Sequence, residues 1–166
     1  MSVYIVDSNF FIQAHRKIYP LDIAVSFWNK VKQLAEEGKI ISIDKVKNEI
    51  YENEDELKKW CLANLPDSFF NDTQTILTEY SKVIEWSVSG STPYTQQARS
   101  KFLDADKADA WLVAFALADI SNRVIVTYEI SEPNIRRAIK IPEACTATGT
   151  SFITPIEMFR ALGEQF

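Results

Sequence analysis

The fold the sequence predicts is a three-layer α/β/α domain, built on a mostly parallel sheet of four or five strands and filling residues 1–166 as a single unit. Three observations lead there. Short apolar, β-branched runs recur at Val3–Val6, Ile40–Ile43 and Val124–Val126. Between them lie segments whose apolar residues stand three and four positions apart, the spacing of crossover helices between parallel strands. The N-terminal order is strand, helix, strand, helix, with no internal repeat or low-complexity tract to disturb it.

The elements follow in chain order. After "VYIV", Leu21 to Glu37 reads as an amphipathic helix: Ala24, Phe27, Trp28, Val31, Leu34 and Ala35 share a face, and Gly38 stops it. "IISI" then gives a buried strand that hands over at once to the helix "DKVKNEIYENE", with Val46 and Ile50 on one face. Asp55 to Leu65 and Thr73 to Trp86 carry helical spacing, and Ser87 to Thr95, with Gly90 and Pro93, reads as a loop. Ala108 to Ala118 is apolar almost all round, so that helix should be buried. "RVIV" gives the next strand and Ser151 to Ile153 a short last one. Thr154, Pro155 and Glu157 then form a helix start whose core face would be Ile156, Phe159 and Leu162.

Composition narrows the function. No stretch of about 18 apolar residues exists, so no membrane span is expected, and the N-terminus lacks the layout of a signal peptide. Two distant cysteines, Cys61 and Cys145, make neither a disulfide framework nor a metal motif, which points to a reducing cytoplasmic compartment. A net charge of -5 argues against a protein that coats nucleic acid through a basic surface. With His15 the only histidine, acid–base chemistry or zinc ligation through imidazole has little material to work with. Catalysis here would rest on carboxylates.

The carboxylates sit where ligands bind in parallel α/β folds, beyond the carboxyl ends of strands. "VYIVD" ends in Asp7 and "VIVTYE" in Glu129. Glu49 lies in the helix after the second strand, and Asp109 heads the most apolar helix. Asp106 stands three residues before Asp109, where a shared helix face would put it in the same site. Clustered carboxylates repel one another and raise their own pKa values unless a cation joins them. Mg²⁺ and Mn²⁺ favour such hard oxygen ligands and assist phosphodiester hydrolysis.

The pieces "VDSNFFI", "KNEI", "ADAWLVAFAL" and "VIVTYE", spread along the whole chain, together resemble the PIN-domain nucleases, small α/β proteins that include many toxin ribonucleases. The "FW" at residues 27–28 and the ending "IPEACTATGTSFITPIEMFRAL" are similar to an uncharacterised bacterial subfamily of that group. The resemblance implies a PIN-like fold and Mg²⁺- or Mn²⁺-dependent endoribonuclease activity. It implies RNA as substrate, and an antitoxin protein or a second copy of the chain as partners. Carried over residue by residue, it assigns the catalytic and metal-binding acids to Asp7, Glu49, Asp109 and Glu129, with Asp106 as a further ligand. Ser8 or Asn9 would accompany Asp7. The family's Thr-x-Asp becomes Thr127-Tyr128-Glu129, one methylene longer at the acid. Ser8, Asn9, Thr127, Arg136, Arg137 and Lys140 are candidate substrate contacts, the last three forming the best basic cluster just past Glu129.

Plainer readings stand beside these. "DSN" after a strand is ordinary turn and cap chemistry. The run Tyr51 to Glu56 reads as a solvated face, and Trp28, Trp60, Trp86 and Trp111 as core within helical patterns. A phosphatase of the haloacid dehalogenase type would also open with an aspartate after its first strand. It needs a second aspartate two residues on, where this chain has Asn9. A PIN-like module that binds RNA or protein without cleaving is the remaining alternative.

Overall fold

The computed structural model describes residues 1–166. Five strands, β1 (Val3–Val6), β2 (Ile40–Ile43), β3 (Phe70–Asn71), β4 (Arg123–Val126) and β5 (Ser151–Ile153), form one sheet in the order β3-β2-β1-β4-β5. Every pairing is parallel. β1 lies at the centre, and its Ile5 and Val6 are fully buried. A buried central strand reads as a continuous apolar run because helices cover both of its faces.

Nine helices surround the sheet: α1 (Ser8–Gln13), α2 (Val25–Glu36), α3 (Asp44–Tyr51), α4 (Glu56–Asn64), α5 (Leu77–Val88), α6 (Gln96–Phe102), α7 (Asp109–Leu117), α8 (Ile141–Thr148) and α9 (Pro155–Leu162). A five-residue π-turn, Ala14–Ile18, follows α1, and a 3₁₀ turn, Gln74–Ile76, precedes α5. Connections from β1 to β2 and β3 run one way along the sheet, and those to β4 and β5 run the other. Right-handed crossovers therefore put α1 to α4 on one face and α5 to α8 on the other. α9 joins the first group through Phe159 against Phe27 and the Lys30–Glu164 ion pair.

α7 is the helix the sequence marks as buried, and Ala110 through Ala116 are all enclosed. Trp28 and Trp111 are core, and Trp60 and Trp86 pack half-buried against it. Both cysteines are free and buried, and burial pushes their thiols up, to about 12 for Cys61 and about 11 for Cys145. No helix is long and apolar enough to cross a membrane.

Several boundaries differ from the sequence reading. The helix expected from Leu21 begins at Val25, because Ile23 and Ala24 donate their N–H groups to the Pro20 carbonyl in a turn. α3 stops at Tyr51 rather than running to Glu54, and α5 continues through Ser87 and Val88, shortening the expected loop. Ile156 is 45% exposed, and Pro155 and Met158 take the inward positions beside Phe159. α1, β3 and α8 have no counterpart in the sequence reading.

Candidate active site

Strand order reverses between β1 and β4: the chain leaves β1 for one side of the sheet and β4 for the other. The crevice at such a switch point is the standing ligand site of open parallel sheets. Asp7 and Thr127 are the first residues beyond these two strands, and they join across it. Thr127 Oγ1 donates to Asp7 Oδ2 at 2.9 Å. The other carboxylate oxygen, Oδ1, accepts the Phe10 N–H at 2.9 Å and so caps α1. The cap reading and the site reading of Asp7 therefore hold together. Asp7 is only 3% exposed. Burial is the main force on its carboxyl, and with the charges of Glu129 and Glu49 it outweighs the two hydrogen bonds. The group is pushed up to about 7.

Above Asp7 opens a cavity of about 410 Å³. Ser8, Asn9, Glu49, Asp109 and Glu129 line it, so three of the predicted acids share its wall while the fourth lies buried nearby. The acids come from the end of β1, from α3, from α7 and from the segment after β4. Glu49 Oε1 accepts the Ala108 N–H at 3.0 Å, which ties α3 to the head of α7. Glu129 Oε2 accepts the Ile141 N–H at 2.8 Å at the head of α8, and its own N–H reaches Thr127 Oγ1 at 3.1 Å. Burial raises both glutamates, and these backbone donors pull them partly back.

Asp109 is different. It is half-buried, and its carboxylate accepts no hydrogen bond from the chain. Burial first, then the charges of Glu129, Asp7 and Glu49, push it up to about 8, with Lys101 the opposing charge. A carboxylate placed so, without a donor, is held against its own preference by the fold around it.

The donor chemistry suits a hard divalent cation: the carboxylates of Glu49, Asp109 and Glu129 and the hydroxyl of Ser8 on the cavity wall, Asp7 buried beside it, and no imidazole or thiol. No three acidic, histidine or cysteine side chains form a ready-made metal cluster. Glu49 and Glu129 lean on backbone amides instead of on one another. Mg²⁺ does not require a complete protein cage, since it commonly keeps waters and substrate phosphate in its shell and takes only one or two carboxylates. The residues present fit such an ion.

Thr127, expected to contact substrate, is instead fully buried with its hydroxyl spent on Asp7 and is off the cavity wall, and three further predicted site residues lie elsewhere. Asp106 is exposed in the turn ahead of α7 and is absent from the cavity wall. Its N–H bonds Asp104 Oδ1 while Lys107 N–H closes on the Asp104 carbonyl, so the helix begins only at Asp109 and no shared face exists. Arg136 and Arg137 are exposed and also off the wall. The third member of that cluster, Lys140, does line the cavity but is paired with Glu132. Two lysines absent from the sequence-based site, Lys101 and Lys107, take positions on the wall. The only signal for them was their nearness to Asp109 in "KFLDADKAD".

Fold and cavity together define a parallel α/β domain with an acid-lined crevice at its switch point. The chain belongs to the family described as a domain of unknown function, DUF4411, whose profile matches residues 4–166. No curated protein and no solved structure matches the chain.

Proposed function

We propose that the chain is a Mg²⁺- or Mn²⁺-dependent endoribonuclease of the PIN-like kind. The observation that carries the reading is Asp109: a half-buried carboxylate without a hydrogen-bond donor, facing the charges of three other acids from three other elements. Such repulsion costs the metal-free fold stability and is relieved by a cation. Asp7, Glu49 and Asp109, with Glu129 completing the set, would hold the ion, which supplies activation of water and stabilisation of the departing oxygen in phosphodiester hydrolysis. The chain's own residues provide the rest. Thr127 orients Asp7 through its hydroxyl, and the Phe10 amide fixes the other oxygen of that carboxylate. The amides of Ala108 and Ile141 hold Glu49 and Glu129 at the wall. Ser8 and Asn9 bring a hydroxyl and an amide to the mouth, where a phosphate oxygen or a 2′-hydroxyl can bond them.

A second reading, a PIN-like module that binds RNA or protein without cutting, is favoured by one feature. Glu49 and Glu129 each already serve as caps on another helix, and no three acids stand together. Incubating purified chain with RNA in Mg²⁺, Mn²⁺ or EDTA separates the two. Cleavage that needs the metal and disappears in Asp7→Asn is the expected result. RNA binding with no cleavage in either metal would leave the binding module standing instead.

A further inference from the structure

A cavity that holds a cation through its acids and cuts RNA must also receive a polyanion, in a chain of net charge -5. Two cations on the wall are free to meet it. Lys101 lies in the last turn of α6, and Lys107 stands two residues before Asp109. Both line the cavity, both are exposed, and neither forms an ion pair with any carboxylate. Exposed ion pairs gain little and cost side-chain entropy, so both ammonium groups stay available to an incoming anion. The charge of Lys107 acts on Glu49 and that of Lys101 on Asp109, each from beyond pairing distance. Lys140, the remaining cation on the wall, is committed to Glu132 and to the Ile130 carbonyl.

Resting on the nuclease reading, we infer that Lys101 and Lys107 are the phosphate-binding residues of this cavity. Lys107, at the Glu49 end, and Lys101, at the Asp109 end, each take a non-bridging oxygen of a nucleic-acid phosphate next to the one brought over the acids. A lysine serves here as a mobile point charge, giving affinity without reading sequence. With two such contacts the salt dependence of binding is shallow, and each lysine accounts for a definite part of it. The α6–α7 turn therefore replaces the Arg136–Arg137 segment as the phosphate contact.

The test is fluorescence anisotropy with a labelled RNA oligonucleotide in Mg²⁺, with all chains carrying Asp7→Asn so that the probe stays intact, across a series of salt concentrations. The double variant Lys101→Gln/Lys107→Gln should bind at least about tenfold more weakly. Its slope of log K against log salt should flatten by about 0.7 per lysine removed. Its unfolding midpoint should match that of the chain with both lysines, since both side chains are exposed and unpaired. With Asp7 restored, the same variant should raise KM far more than it lowers kcat. The pair Arg136→Gln/Arg137→Gln should leave the slope unchanged. An unaltered slope in the lysine variant, or a slope carried by the arginines, overturns the inference. If Mg²⁺-dependent cleavage survives that result and is lost in Asp109→Asn, only the lysine assignment falls. A wild-type chain that neither binds nor cuts RNA removes the nuclease reading along with it.

Discussion

The head of α7 and the segment after β4 each bring a half-buried acid to the same cavity, yet the two acids stand in opposite relation to the fold. Glu129 accepts the Ile141 N–H and caps α8, so its charge meets the positive end of a helix. Asp109 accepts nothing from the chain, although it too stands in the first turn of a helix. The orphan amide at that helix start is taken by Glu49 from α3. One carboxylate in this cavity thus supports the structure and another costs it. Residue type and location alone do not separate them; the hydrogen-bond donor does.

That contrast predicts opposite signs on substitution. The largest effect expected is on activity: Asp109→Asn should lower metal-dependent RNA cleavage by at least about a hundredfold, the scale on which a lost electrostatic contact to the transition state is felt. In EDTA the same variant should unfold at equal or higher urea, because it removes a repelled charge that had no donor to lose. A clear loss of metal-free stability in Asp109→Asn would break the contrast at its sharper end.

Next in size is the response to pH. Asp7 and Asp109 have folded-state pKa values of about 7 and about 8, well above the ordinary value of 3.8. Between pH 4 and 8 the folded chain therefore holds protons that the unfolded chain has released, and the linkage slope is negative. Metal-free stability should be greatest near the acid end of that window and decline as pH rises through it, by about 1.4 kcal/mol per pH unit for each of the two groups that stays protonated only in the fold. Mg²⁺ should flatten the decline by binding the deprotonated acids of the native state. Urea unfolding in EDTA and in Mg²⁺ at several pH values reads both effects. A metal-free stability that climbs from pH 5 to 8 would contradict the account of these two carboxyls.

The smaller prediction concerns the supporting acid. Glu129→Ala removes the acceptor at the head of α8 and should cost about 1 kcal/mol of stability, whereas Glu129→Gln keeps an acceptor and should cost only a few tenths. Thermal melts of the two variants beside Asp109→Asn set the comparison in a single experiment. If Glu129→Ala stabilises the chain, Glu129 is not acting as a cap.

Much of this frame was legible in the sequence, for local reasons. "VYIV" and "IISI" show no regular polar–apolar alternation, as expected of strands covered on both faces, and the one polar residue among them, Ser42, is buried with its hydroxyl on the Val6 carbonyl. The all-round apolar character of "DAWLVAFAL" foretold a buried helix with an acid at its head. Three of the four acids stand out because Asp7 and Glu129 follow strands and Asp109 opens a helix, whereas Glu49 sits inside α3. What escaped is non-local. α8 begins with Lys140 at its cap position and no side-chain cap of its own, since its acceptor is Glu129, twelve residues upstream. α7 is served the same way by Glu49, 59 residues upstream. β3 is two residues long and exists through its register with Ser42 and Ile43, so no periodicity could announce it. Asp106 was misplaced because a local turn through Asp104 competes with the helix, and one more turn of α7 would have made the expected face. The exposure of Ile156 shows the same limit: helical spacing marks a face, but the neighbouring packing chose Met158 instead.

The central claim is that the acids at the switch point between β1 and β4 gather around a divalent cation. Diffraction from crystals soaked in Mn²⁺, measured for its anomalous signal, tests it most directly. The expected result is a peak in the cavity at bonding distance from Asp109, with Asp7, Glu49 or Glu129 as further ligands, and its disappearance in Asp109→Asn. Soaked crystals with no anomalous peak at Asp109, in a chain still folded as described, would contradict it.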